Sequence, residues 1–248
     1  MSLFSKRPDG RDVVLRALCV GSLVTRGHEE LAISEASSAP SREDHRRNAA
    51  EVLDRLGREG LVSHLSRREK AALFKPPGSW TKQEIVDASW RAECLGMLFW
   101  ALGLVKSIPP YDTQFSGEEL PPLLGMLVSD RGLRKRATLR PAPEINKERD
   151  VAEHWNWRSR TTRIQREGVR PPPGISFEEI LRISAASGYE EGMNPPPIKD
   201  DFPAFGKSYS ELSGDEYSLA TSIATERHFA MNWLCGHSKD WDETPTDT

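Results

Sequence analysis

Apolar residues along this chain recur at spacings of three and four, the repeat of an amphipathic helix. The pattern predicts helices near 11–26, 42–58, 66–74, 81–104, 117–128, 144–167, 177–187 and 214–235. Their starts carry a recurrent signal, a Ser or Thr followed three residues later by Glu. In that capping box the two side chains satisfy each other's orphan backbone N–H groups. It appears at Ser66–Glu69, Thr81–Glu84, Ser116–Glu119, Ser176–Glu179 and Ser213–Glu216. At Ser176 a hydrophobic staple, Ile175 with Ile180, joins it. Gly27, Gly60 and Gly103 stand where helices should stop. No segment alternates with period two between turn residues, so no sheet is expected. The fold class is therefore all-α: a single compact multi-helix domain over 1–248, with a central buried helix near 81–104.

Proline-rich connectors separate the helices: Pro109–Pro110, Pro141 and Pro143, Pro171–Pro173, Pro195–Pro197. Proline fixes φ and lacks a donor, so these stretches leave the helices and run extended. A weak internal boundary is expected near 168–174. The longest connector, Gly192 to Leu212, contains "DFPAFGKSY", whose Phe202, Phe205 and Tyr209 should pin it to the helices. Residues 236–248 form an acidic tail with Asp240, Asp242, Glu243 and Asp247. Trp241 argues that this tail packs across the helical body, because so large a ring seldom stays in water.

Two helices carry charges inside their apolar stripes. Val86, Trp90, Glu93, Met97 and Trp100 share one face of the central helix, and Arg91 points elsewhere. In the last helix Ala220, Ile223, Ala224, Arg227, Met231 and Leu234 form a stripe, flanked by Glu226. An unpaired buried charge costs several kcal/mol. The helices are therefore predicted to pack together, with Glu93 against Arg227 and Arg91 against Glu226 or another nearby carboxylate. Such pairs either only orient the helices or line a polar cleft. In the second case Glu93, Arg91, Glu226 and Arg227 are the candidate catalytic residues, with Glu93 a base or Arg227 an anion clamp.

Composition narrows the function classes. The chain has 37% hydrophobic and 29% charged residues, with seven Trp and eight Phe, which suits a globular protein with a polar surface. Its net charge of −3 gives no general attraction to nucleic acid or membrane. The N-terminus lacks the apolar core of a signal peptide, and the longest apolar run is too short to span a bilayer. Cys19, Cys94 and Cys235 have no metal-ligand spacing and read as reduced core thiols in a cytoplasmic protein. No nucleophile elbow, phosphate loop, dinucleotide fingerprint or zinc motif is present, so no cofactor and no metal are expected.

One segment is locally basic. Arg131 to Arg170 holds twelve basic and five acidic residues, and "HWNWRSRTTRIQREGVR" interleaves tryptophan with arginine. Trp155, Trp157, Arg158, Arg160 and Arg163 are therefore candidate ligand-binding residues, for a phosphorylated ligand or a nucleic acid. A solvated face balanced by acidic segments explains the same pattern, and a nucleic-acid partner is not favoured without a recognisable module. Trp155 and Trp157, two residues apart, must face different surfaces.

"WRAECLGMLFWALGL" (90–104), "TERHFAMNWLCG" (225–236) and "WDETPTDT" (241–248) together resemble the bacterial family called domain of unknown function 4272, and "DFPAFGKSY" (201–209) fits it too. The likeness runs from about residue 80 onward, and more loosely from the first helix. It implies a soluble bacterial protein of one domain and carries over no catalytic residue and no ligand. The expectation is thus a binding or protein-interaction module with a protein or small-molecule partner and no membrane association. An enzyme with a cleft around Glu93 and Arg227 is the alternative.

Overall fold

A computed structural model describes residues 6–129 and 131–246. The described chain is mostly helical. Its helices are α1 (Gly10–Glu35), α2 (Ala39–Arg58), α3 (Arg67–Leu73), α4 (Lys82–Ala101), α5 (Leu120–Ser129), α6 (Arg131–Arg136), α7 (Ala142–Arg166), α8 (Phe177–Glu190) and α9 (Gly214–Leu234). Helix α4 lies at the centre, against α1 on one side and α9 on the other; α2 covers α1 and α7 covers α9. Cys94 to Ala101 of α4 are buried without a break, which makes this helix the spine of the main apolar cluster.

The caps follow the predicted chemistry at Ser66, Thr81 and Ser213, where both halves of the box form. Ser176 caps α8 through its side chain, but Glu179 turns to Arg182 instead. The Ser116 side chain accepts the Glu118 N–H rather than that of Glu119, and α5 begins later, at Leu120. The structure adds a box the Ser/Thr search passes over: Asp9 and Asp12 cap each other's N–H groups at the start of α1.

Gly27 is not a stop. Helix α1 runs through it for two more turns, and a Cβ there would sit 2.9 Å from the Ala88 Cβ. The missing side chain lets α1 and α4 approach closely. Gly60 and Gly103 do lie just past helix ends, at φ +68° and +71°. Helix α4 stops at Ala101, and residues 102–104 close it with a turn in which the Leu104 N–H donates to Phe99 O. The predicted apolar face also ends early on its N-terminal side: Val86 is 46% exposed and Trp90 half-buried.

Contrary to the expectation of no sheet, Pro203–Ala204 (β1) pairs antiparallel with Lys207–Ser208 (β2). Strands of two residues are too short to show alternation, so the sequence has no signal for them. The tail packs across the body, as Trp241 suggested. Its ring meets Phe229 and Trp233 edge-on at 4.8 and 5.3 Å, under the Arg16 guanidinium at 5.0 Å. Asn232 and Asn156 donate to the carbonyls of Pro245 and Thr246, tying the tail to α9 and α7. Asp247 lies outside the described residues. Among the described residues no helix is long and apolar enough to cross a membrane.

Gly96, on α4, has no room for a side chain: a Cβ would fall within the Phe115 ring. The Gly96→Ala variant should lose about 1–3 kcal/mol of stability by overpacking. Urea unfolding checks this, and an unchanged midpoint would refute the packing account.

Candidate functional site

Arg227 and Glu93 meet in the core, Nε donating to Oε2 at 2.8 Å, with the two side chains 0% and 1% exposed. The rest of the guanidinium is spent on a loop. Nη1 donates to the carbonyls of Pro109 and Pro110 at 2.6 and 3.3 Å, and Nη2 donates to that of Thr113 at 2.8 Å. The second Glu93 oxygen accepts the Phe115 N–H at 2.9 Å, and the guanidinium lies against the Tyr111 and Phe115 rings. Burial pushes the Glu93 carboxyl above its ordinary range, against the pull of Arg227 and the Phe115 N–H. The predicted pair thus forms, but it is sealed. It anchors segment 109–115 to α4 and α9 and opens onto no solvent-filled space.

Arg91 and Glu226 form the second predicted pair, at 3.1 Å, and remain 23% and 16% exposed. They line a mixed-charge cleft of about 560 Å³ with Trp80, Trp90 and Trp241. Below them the Cys94 thiol lies 2.9 Å from Glu226 Oε2, its pKa raised by burial. The four candidates therefore separate into a sealed pair and a wall pair.

Of the residues proposed for ligand binding, Arg158 and Trp155 turn inward. Arg158 is fully buried and grips Asp201 at both ends, Nε to Oδ1 at 2.7 Å and Nη2 to Oδ2 at 2.8 Å. Burial raises the Asp201 carboxyl, but Arg158, Ser210 and the Phe202 N–H together outweigh it and hold the group below its usual range. Arg158 is therefore no surface phosphate contact. Local sequence charge reports how many arginines there are, not which way they face. Trp157 is half-buried beside His154 and Phe202. Arg160 and Arg163 border a small hollow of about 170 Å³, and Arg163 lies 3.8 Å from Glu167. Other cations of the basic segment also meet carboxylates: Arg134 with Glu59, Arg140 with Glu144, Arg149 with Glu153.

The two buried pairs have a joint consequence. Arg227 fixes segment 109–113, and Arg158 fixes the stretch from Asp201 to Ser210 that carries the β1–β2 hairpin. The two face each other and are clamped by the Phe205 N–H donating to Asp112 Oδ2 at 2.7 Å. Between them, over α7, lies a cleft of about 470 Å³. Its lining is aromatic and apolar, including Trp100, Tyr111, Trp155 and Met193, with Glu148 and Asp112 as its carboxylates. Tyr111 stacks on Trp155 at 5.1 Å with the rings 2° from parallel. The Tyr111 hydroxyl is buried without a hydrogen-bond partner. Glu148 makes no ion pair among the described residues, and burial pushes its carboxyl up to about 7 against the pull of Arg227 and Lys147.

Glu148 carried a signal that the sequence reading missed. Ile145, Glu148, Ala152 and Trp155 follow steps of three, four and three, the same charge-in-a-stripe pattern that singled out Glu93. The flanking Lys147 and Arg149 masked it as part of a solvated face.

The family model described as a domain of unknown function, DUF4272, matches residues 6–178, well over half of the 248. The chain belongs to the DUF4272 family. Comparison with curated proteins and with solved structures gives no match. In this DUF4272 chain the matched stretch takes in the N-terminal helices and "WRAECLGMLFWALGL". It does not reach 201–209, 225–236 or 241–248, so the likeness seen from the sequence is placed differently along the chain. Trp100, Tyr111, Glu148 and Trp155 fall within the match, whereas Asp201 and Arg227 lie beyond it. Among the described residues no cluster of His, Cys, Asp or Glu is placed to hold a metal ion.

Two tests follow from this geometry. Arg227→Met leaves Glu93 buried without its partner and should cost about 3–5 kcal/mol in urea unfolding. Adding Glu93→Leu should recover only part of this, because the Pro109 and Thr113 carbonyls lose their donor while Pro110 keeps the Thr113 N–H; full recovery would show that the loop does not depend on the pair. Glu148 rises from 4.5 to about 7 on folding, so the native state holds the extra proton between those values. Stability from this group is therefore complete below pH 4.5, declines as pH rises to about 7, and is flat above. Glu148→Gln should gain about 1–3 kcal/mol over wild type at pH 8 and little at pH 4.5. Thermal unfolding at the two pH values measures this.

Proposed function

We propose that this protein binds a small, largely apolar molecule in the cleft between segment 109–113, helix α7 and the β1–β2 hairpin. One observation carries the reading: the Glu148 carboxyl lines an aromatic cleft without an ion-pair partner among the described residues. Taking a carboxyl partly out of water without a partner costs free energy. A chain keeps such a group where something else meets it. The volume of about 470 Å³ falls within the range of small-molecule sites, which pair apolar walls with a few placed polar groups. Both loop walls are held by buried ion pairs, so little order has to be gained on binding.

The buried charges Glu93 and Arg227 act in this reading as anchors of the wall and have no contact with the ligand. A small-molecule library screened by thermal shift and tryptophan quenching tests the proposal, with Trp100 and Trp155 as reporters. A ligand at a hundredfold excess over its Kd should stabilise the protein by about 2.7 kcal/mol. Val151→Trp fills the cleft from the half-buried face of α7 and should abolish both signals. Ligands that bind this variant as well as wild type would place binding elsewhere and defeat the proposal.

A further inference from the structure

The cleft carries a charge bias that its apolar character conceals. Its lining holds two carboxylates, Glu148 and Asp112, and no lysine, arginine or histidine. Asp112 is committed: Oδ2 accepts the Phe205 N–H at 2.7 Å and Oδ1 accepts the Thr113 hydroxyl at 3.1 Å. Glu148 is left as the carboxylate able to meet a ligand. Around it stand the rings of Trp100, Tyr111 and Trp155. Arg140 already lies over the Trp100 ring and Arg227 over the Tyr111 ring, each at 4.9 Å, so these rings offer the ligand apolar surface.

We infer that the cleft selects a ligand bearing a protonated amine on an apolar body, with Glu148 as its counter-ion and the aromatic rings around its apolar part. The inference rests on the cleft being a ligand site. A ligand carboxylate would face like charge in an apolar setting, and a neutral ligand would leave the ionised Glu148 uncompensated.

Of the cations near Glu148, Arg149, Arg140 and Arg227 have protein partners. On α7, Arg149 is engaged by Glu153 and Asn232, and Lys147 lies beside Glu148 in sequence. Arg140, before α7, is held by Glu144 and the Trp100 and Val105 carbonyls. Arg227, from α9, is committed to Glu93 and the loop carbonyls. Segment 109–113 contributes Tyr111 and Asp112, while the lining residues Met193, Pro195, Pro203, Ala204 and Gly206 do not titrate. The selection for an amine is therefore set by Glu148, and it follows the ionisation of that group. An amine stays protonated to about pH 10, whereas Glu148 loses its proton near 7. Amine affinity should rise with pH through that value.

Three probes with one body separate the possibilities: 2-phenylethylamine, 2-phenylethanol and phenylacetate, titrated calorimetrically into the wild-type chain and into Glu148→Gln and Val151→Trp. At pH 8 the amine should bind roughly tenfold more tightly than the alcohol, as a charge-assisted contact gives. Its affinity should fall about tenfold at pH 6, where Glu148 is protonated. Glu148→Gln should remove the preference for the amine over the alcohol, with Val151→Trp still blocking both. Alcohol or phenylacetate binding as well as the amine, with Val151→Trp still blocking, would overturn the amine assignment and leave the cleft as a ligand site. Absence of binding by every probe, or binding unaffected by Val151→Trp, would overturn both.

Discussion

The guanidinium of Arg227 is the group on which the arrangement most depends. Taking it out of water is expensive, and one carboxylate does not offset that cost in a low-dielectric core. The structure meets the cost with hydrogen bonds to Glu93 and to three backbone carbonyls, and with two aromatic rings against the guanidinium. Those carbonyls belong to a proline-rich segment that could not satisfy itself through helix or sheet. The charge and the loop each supply what the other lacks. The pair is thus more than a register pin between α4 and α9, since it converts a connector into a fixed wall.

Arg158 and Asp201 repeat the device on the opposite wall of the cleft, with Ser210 and the Phe202 N–H completing the carboxylate's bonds. The Asp112–Phe205 contact then joins the two walls. A cleft built from loops would ordinarily be mobile, because loops expose backbone groups and pack few apolar contacts. Here the buried ion pairs replace those missing contacts, and stability is converted into a preorganised surface. The stacked Tyr111–Trp155 rings lie where the wall meets α7, so the position of one depends on the other.

The charges of the chain consequently fall into distinct roles. The sealed pairs hold geometry. Surface pairs such as Arg163–Glu167 offset the local excess of arginine along α7. Arg91 and Glu226 stand between these extremes, on the wall of the mixed-charge cleft under Trp241. Glu148 belongs to none of these, being a carboxylate at an apolar cleft with no ion pair among the described residues, its carboxyl pushed up to about 7 by burial.

Much of the fold was legible in the sequence because helices are local. Three-and-four spacing, Ser/Thr–Glu boxes and the glycines at 60 and 103 report interactions within a few residues, and the helices other than α6 overlap the places those signals gave, with α1 running on to Glu35. A charge within an apolar stripe reaches further, linking Glu93 to Arg227 across 134 positions of sequence, because an isolated buried charge demands a partner. It did not reveal that Arg227 also holds the 109–113 carbonyls, since backbone acceptors leave no mark in side-chain identity. Gly27 read as a stop and proved to be a helix–helix contact, because a glycine's local freedom and its small size look alike until the neighbour is in place. The two-residue strands, the inward turn of Arg158 and the cleft beside Glu148 were decided by tertiary structure alone. Each depends on which distant surfaces converge, and local periodicity says which face a residue occupies without saying what that face will meet.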